Sequence, residues 1–124
     1  MSFTSILQEI VENCGGGLGA ALMGNDGIPI EEITAAGADG EAASPEIALL
    51  GVEFGRVLEE VRKASDSVGG GVLRESVLSL SRFLLIFQPV DEETFLLLAL
   101  APDGNLGKAR YLMRRQMLAL RQEL

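Results

Sequence analysis

The stretch SRFLLIFQPVDEETFLLLALAP, residues 81–102, decides the fold. It contains two nearly continuous apolar runs, FLLIF and FLLLALA, separated by a short polar connection. A strand with one solvent-exposed face alternates apolar and polar residues, whereas a strand covered on both faces is apolar throughout. We therefore predict two strands, from Arg82 to Val90 and from Thr94 to Ala101, in a sheet that has another layer on each face.

A glycine-rich stretch near the start, CGGGLGAALMGNDGIPI (residues 14–30), predicts two more strands. Asn-Asp-Gly between apolar runs is typical of a hairpin turn, because Gly and Asn adopt positive φ angles at low cost. We place the turn at Gly24 to Gly27, with strands from Leu18 to Met23 and from Ile28 to Thr34. Pro29 lacks an amide hydrogen, which puts the second strand at a sheet edge or at a bulge.

The glycines of this stretch do not predict nucleotide binding. Gly15-x-Gly17-x-x-Ala20 loosely matches the dinucleotide-binding fingerprint, but that fingerprint follows a strand and opens a helix. Here the context is reversed, and the chain has no Gly-Lys-Ser/Thr phosphate-binding element. We interpret Gly15 to Gly17 as the end of a first helix, which opens near Ser2 or Thr4.

A second helix is predicted after the connection formed by residues 35–44. Ser44 suits the N-cap, Pro45 the first helical position, and Glu46 the positive end of the helix dipole. The helix extends to about Ser65, and its apolar stripe consists of Ile47, Leu50, Phe54, Leu58 and Val61.

The remaining segments complete the order of elements. Val72 to Leu80 mixes charged and apolar residues, as an edge strand does. A last helix begins near Leu106. The order is helix, two strands, helix, three strands, helix. We predict an α/β fold of the α+β type, with a five-stranded antiparallel sheet, helices on both faces, and a single domain spanning residues 1–124.

Small residues flank the apolar stripe of the second helix. Ala48, Gly51 and Gly55 lie there, and each glycine costs the helix about 1 kcal/mol relative to alanine. Close packing of another backbone would offset that cost. Since one helix cannot cover a five-stranded face, we expect a second copy of the chain to supply the missing helix; a loop over this flank is the alternative.

Composition argues against several functions. The 124 residues include no histidine and one cysteine, Cys14, so the commonest catalytic bases and transition-metal ligands are missing. Cys14 is interpreted as a buried apolar residue. The acidic groups Asp91 to Glu93 and Glu31-Glu32 lack the spaced oxygen ligands of a calcium loop and fit solvated turns better. We predict no catalytic residue, no cofactor and no metal site.

The charge balance and the apolar runs bear on partners and location. A formal net charge of −8 argues against nucleic-acid binding, which depends on Lys and Arg. No apolar stretch reaches the ~20 residues that a membrane-spanning helix needs, and no signal peptide is evident. We expect a cytoplasmic protein with no membrane insertion.

The last helix is basic on an otherwise acidic chain. Residues 1–103 carry five Lys/Arg against seventeen Asp/Glu, whereas residues 104–124 carry five Lys/Arg against Glu123 alone. Such a helix suits an acidic partner or a membrane surface. The favoured alternative is that its cations complement the helix dipole or lie beside Glu9 and Glu12 of the first helix.

Three segments resemble the Roadblock (dynein light chain) family, particularly its bacterial MglB-like branch. They are LGAALMGNDGIPI, the strand pair FLLIFQPV and FLLLALAP, and GNLGKARYLMRR. The resemblance covers nearly the whole chain in the family's order of elements. The connection from residue 35 to 44 departs from the family's more compact examples.

The resemblance implies a homodimer in which the second helices pack side by side and the third strands join two sheets into one. The implied dimer interface comprises Ala48, Gly51, Val52, Gly55, Val72, Arg74, Ser76 and Leu78. It further implies a partner, which is a small Ras-like GTPase or, in the dynein branch, a motor intermediate chain. By that analogy the exposed face of the paired helices meets the GTPase through Glu53, Arg56, Glu60 and Lys63.

The sequence therefore supports the hypothesis of a non-catalytic homodimeric regulator or scaffold that positions or activates a small GTPase. One alternative is a structural adaptor that tethers proteins without a GTPase. Another is a small-ligand sensor or minor enzyme with a pocket under residues 35–44.

Overall fold

The computed structural model describes residues 2–35 and 46–124, which form one antiparallel sheet with helices on both faces. The predicted order of elements is confirmed. The helices are α1 (Phe3–Asn13), α2 (Ile47–Val68) and α3 (Leu106–Glu123). The strands are β1 (Gly17–Gly24), β2 (Pro29–Thr34), β3 (Ser76–Ser79), β4 (Leu84–Pro89) and β5 (Thr94–Leu100).

The sheet has the strand order β2-β1-β5-β4-β3. The central strand β5 pairs with β1 on one side and with β4 on the other, so that Leu97 faces Ala21 and Phe87 across the two ladders. Every residue of β5 is buried. The prediction that the apolar runs form strands covered on both faces is confirmed.

Each face of the sheet carries its own core. On one face, side chains such as Leu96 and Leu98 pack against α1 and α3. On the other, Phe95 and Leu97 pack against Ile47 and other residues of α2. The alternation along β5 follows from the two-residue period of a strand.

The β1–β2 hairpin has the predicted turn. Gly27 has a φ of 89°, in the region that glycine adopts without strain. The Asn25 amide nitrogen of the backbone donates to the Glu93 carbonyl at 2.8 Å, and its side-chain Nδ2 donates to the Glu92 carbonyl at 2.8 Å. Asn25 therefore ties this turn to the β4–β5 turn. Pro29 opens the edge strand β2, where its missing donor is tolerated.

Strand β3 is shorter than predicted. It covers Ser76–Ser79 only, so Val72 and Arg74 lie outside it and the predicted range from Val72 to Leu80 is wrong at both ends. The ladder pairs Ser76 with Phe87, and continuing it toward Arg74 would reach Pro89, which has no amide hydrogen to donate. The neighbouring strand therefore ends the ladder.

The bounds of α2 also differ from the prediction. The helix begins at Ile47 with Glu46 as the N-cap, and it ends at Val68 rather than near Ser65 because Gly69 closes it in the left-handed conformation. Glu46 makes no side-chain capping bond. The predicted cap at Ser44 and first helical residue at Pro45 lie outside the described residues.

Candidate functional site

The contacts of helix α2 show which side of the helix faces which strand. Ile47 packs on Gly19 of β1, and Gly51 lies over Met23 of the same strand. Further along, Gly55 lies over Phe95 of β5. The ring of Phe54 lies 6.4 Å from that of Phe87 in β4. The helix therefore covers β1 and β5 with its glycine side and β4 with its Phe54 side.

The two glycines of α2 serve the chain's own sheet. A Cβ at Gly51 would overlap the Met23 sulfur, and one at Gly55 would touch the Phe95 ring at 3.6 Å. The neighbouring Val52 contacts the hairpin turn at Gly27, where a Cβ would lie 3.9 Å from its methyl group. Met23 therefore accounts for the glycine at position 51 within one chain, and the expectation that Gly51 and Gly55 admit the backbone of a second chain stays a prediction.

The other flank of α2 is apolar and exposed. Helical spacing puts Leu50, Val57 and Val61 beyond Phe54, on the side that faces β4 and β3. Val57 is 51% exposed and Val61 39% exposed, while Leu50 is half-buried. Among the described residues no second helix covers this side of the sheet. We call Leu50, Val57 and Val61 together with Leu78 of β3 the α2–β3 surface.

Strand β3 supplies a free sheet edge beside this surface. It pairs with β4 and, in the described part of the chain, with no other strand. Leu78 faces the same side of the sheet as α2, because its ladder partner Leu85 belongs to the α2-side core. Both unpaired backbone groups and exposed apolar side chains therefore meet at one end of the molecule, which is typical of an association surface.

The outward face of α2 carries alternating charges. Arg56 pairs with Glu53, and Lys63 pairs with Glu60 at 3.1 Å. All four side chains are more than half exposed, and such pairs contribute only about 0.3–0.5 kcal/mol each. A partner could replace these pairs at little cost.

A partly buried carboxylate links the chain before β3 to α3. Glu75, whose side chain is 12% exposed, accepts from Arg110 Nε at 2.8 Å and from Gln88 Nε2 at 2.9 Å. Arg114 Nη2 lies 3.7 Å from the same carboxylate. The hydrogen bond from Arg110 is the main cause that holds the pKa of Glu75 below its usual range, against the opposing effect of burial. Sequence reasoning assigned Glu75 only to an edge strand and missed this cluster.

The other candidate groups show no organised chemistry. Within residues 2–35 and 46–124, no group of His, Cys, Asp or Glu side chains could hold a metal ion. Burial raises the pKa of the Cys14 thiol, which lies in the core beside α1. The part of the chain that the structure describes contains no helix long and apolar enough to cross a bilayer. The pocket predicted under residues 35–44 lies outside the described residues.

Solved structures match this chain, although no family model and no curated protein matches its sequence. A Roadblock/LC7 domain from Streptomyces avermitilis is 18% identical, with 98% of this chain and 97% of that chain covered and a TM-score of 0.81. MglB in a tetrameric arrangement is 20% identical, with 97% and 85% covered and a TM-score of 0.84. MglC from Myxococcus xanthus is 31% identical, with 100% of both chains covered and a TM-score of 0.69. The chain belongs to the Roadblock family.

In this Roadblock chain the residues expected at a dimer interface fall into separate places. Ser76 and Leu78 lie on the free edge strand β3, beside the α2–β3 surface. Val72 is 85% exposed and, like Arg74, precedes that strand. Ala48 and Val52 lie with the two glycines on the opposite flank of α2. Val57 and Val61 were not predicted as dimer contacts. Their helical spacing from Leu50 and Phe54 could have indicated that they continue the same apolar side of the helix.

Proposed function

We propose that this Roadblock chain is a non-catalytic homodimeric regulator or scaffold for a small Ras-like GTPase and works in the cytoplasm. The observation that carries the proposal is the α2–β3 surface beside the free edge of β3. Exposed apolar side chains and unpaired strand groups on one side of a small domain favour association with a second copy.

The proposed dimer has a two-fold axis near β3. Antiparallel pairing of the two β3 strands joins the sheets, and it brings the apolar flanks of the two α2 helices together above them. Val57 and Val61 of one protomer then cover those of the other. Because each side chain is already about half buried, covering the rest contributes roughly 0.5–1.5 kcal/mol. Ser76 and Leu78 remain interface residues in this proposal, and Val57 and Val61 replace Gly51 and Gly55.

The proposed GTPase contact is the outward face of the paired α2 helices. Glu53, Arg56, Glu60 and Lys63 are exposed there, and the resemblance to the family implies the same face. The regulator would act by positioning groups that belong to the GTPase, because the chain contains no histidine and its one cysteine is buried.

Light scattering on matched variants tests the dimer. Val57→Asp places a charge in the proposed interface and is expected to give the mass of one chain at micromolar concentration. Leu49→Asp is the control, because Leu49 is 50% exposed and Val57 is 51% exposed. Leu49 lies on the outward face of α2, away from the proposed interface, so this variant is expected to keep the mass of two chains. A wild-type protein that is monomeric at this concentration would contradict the dimer.

Hydrolysis assays test the GTPase role separately. Small Ras-like GTPases from the same genome are mixed with the dimer, and binding and phosphate release are measured. Arg56→Glu combined with Lys63→Glu is expected to weaken binding by roughly tenfold or more, since each charge contact contributes on the order of 1 kcal/mol. An intact dimer that neither binds any of these GTPases nor alters hydrolysis would leave the adaptor function in place of the proposed one.

A further inference from the structure

The outward face of α3 combines exposed cations with exposed apolar side chains. Tyr111 is 61% exposed and Leu118 64% exposed, and they lie seven residues apart on the same side of the helix. Lys108, Arg114 and Arg115 surround them and are exposed. We call these five residues the α3 outer face. It lies across the sheet from α2, because α3 packs into the core shared with α1.

The cations of this face are only partly used within the chain. Arg110 is held by Glu75, and Arg121 donates to the Val90 carbonyl at 2.7 Å. Arg114 is 68% exposed and reaches Glu75 only at 3.7 Å. Lys108 and Arg115 form no ion pair with any residue the structure describes. The face thus has unmatched positive charge on a chain whose net charge is −8.

The two simpler explanations for these cations do not account for the face. The helix dipole favours cations in the last turn, which holds Arg121, whereas Lys108 lies in the first turn, where the dipole disfavours it. Helix α1 packs against α3, yet neither Glu9 nor Glu12 forms an ion pair with it among the described residues. Neither the helix dipole nor packing beside α1 explains why Tyr111 and Leu118 are exposed.

We propose that the α3 outer face binds an acidic amphipathic helix of a partner protein. The apolar side of that helix would pack between Tyr111 and Leu118, which lie about 10 Å apart along α3. Its carboxylates would pair with Arg114, Arg115 and Lys108. This site is separate from both the α2–β3 surface and the outward face of α2, so it can be occupied in the proposed dimer.

Charge at longer range favours a short acidic segment over an anionic membrane or a nucleic acid. Residues 1–103 carry twelve more acids than bases, and a large anionic surface would be repelled by them within a Debye length of about 10 Å. A single helix contacts the local positive face alone. Two apolar side chains also bury too little surface to hold a membrane.

Fluorescence anisotropy with two designed peptides tests the proposal. Each is a labelled helix of about five turns with leucines at heptad spacing, and the remaining positions are rich in glutamate in one peptide and in lysine in the other. The glutamate peptide is expected to bind the full-length protein at least tenfold more tightly than the lysine peptide, a difference of about 1.4 kcal/mol. Its affinity is expected to fall as salt is raised.

Variants locate the binding. Two double variants are expected to bind the glutamate peptide roughly tenfold or more less tightly. One combines Tyr111→Ala with Leu118→Ala, and the other combines Arg114→Glu with Arg115→Glu. Arg56→Glu on α2 is the control and is expected to leave the affinity for the glutamate peptide unchanged. Circular dichroism and the melting temperature establish that each variant is folded.

Two kinds of result would overturn the proposal. One is equal or weaker binding of the glutamate peptide, or binding that the α3 variants do not change. The other is tighter association with vesicles containing about one-third phosphatidylserine than with the peptide, which would make the face a lipid-binding surface instead.

Discussion

Gly51 of α2 lies directly over Met23 of β1, so close that a Cβ at position 51 would overlap the methionine sulfur. Gly51→Ala is therefore expected to lower the free energy of unfolding by about 1–3 kcal/mol, because the displaced Met23 side chain outweighs the better helix propensity of alanine. Gly55→Ala is the matched control. Its Cβ would lie 3.6 Å from the Phe95 ring, which is ordinary contact, and the change is expected to stabilise by about 0.5–1 kcal/mol. Urea unfolding at one protein concentration measures both, and similar stabilisation by the two changes would contradict the packing described.

Glu75 provides a prediction about pH. Glu75→Gln is expected to lower the free energy of unfolding at pH 7 by about 1–3 kcal/mol, because Arg110 then donates to a neutral amide oxygen instead of a carboxylate. The pKa of Glu75 is lowered from 4.5 in the folded protein, so its carboxylate stabilises the fold above that pH and loses this effect as the pH falls through the lower folded value.

The difference between wild type and Glu75→Gln should accordingly narrow below pH 4.5. Glu93→Gln, at an exposed position in the β4–β5 turn, is the control and should change the free energy of unfolding at pH 7 by less than about 0.5 kcal/mol. A difference that stays constant from neutral to acid pH would show that the Glu75 charge does not stabilise the fold.

The central strand sets the largest expected effect on stability. Leu97 is fully buried in β5 between β1 and β4, so Leu97→Ala is expected to cost about 2–5 kcal/mol. Leu118→Ala removes the same atoms from a side chain that is 64% exposed and is expected to change stability by less than about 0.5 kcal/mol. Thermal unfolding compares them, and equal losses would contradict the assignment of Leu118 to an outward face.

The thiol of Cys14 is expected to react slowly with a thiol reagent at pH 8. Cys14 is fully buried, and burial raises the pKa of the thiol, so little thiolate is accessible. The same protein in urea should react at the rate of an ordinary exposed cysteine. Equally fast reaction without urea would mean that α1 opens readily or does not cover the thiol.

Features that depend on neighbours along the chain could be predicted from the sequence. The apolar runs of β4 and β5 and the Asn-Asp-Gly turn gave strands, covered faces and element order, because their periodicity and turn chemistry are local. The length of β3 could not be predicted in this way. Its ladder ends where Pro89 would have to donate a hydrogen bond, and that pairing joins residues far apart in the sequence.

The same limit applies to the candidate sites. Gly51 of α2 is a position of close approach, and the group that approaches is Met23, from a distant strand of the same chain. Glu75 was placed on an edge strand, whereas its partner Arg110 lies 35 residues away. Charge can be read from a sequence, but the burial of a side chain and the identity of the residue that faces it require the fold.

The arrangement of charge on the two faces of the sheet affects how this molecule meets its partners. Helix α3 carries five basic residues and lies on one face, while the more acidic α2 lies on the other. In a dimer joined through β3, the two-fold axis is perpendicular to the sheet, so the electric dipole moments of the protomers add instead of cancelling. Such a molecule rotates in the field of a charged partner during diffusion, and an acidic partner arrives facing α3 before any contact has formed.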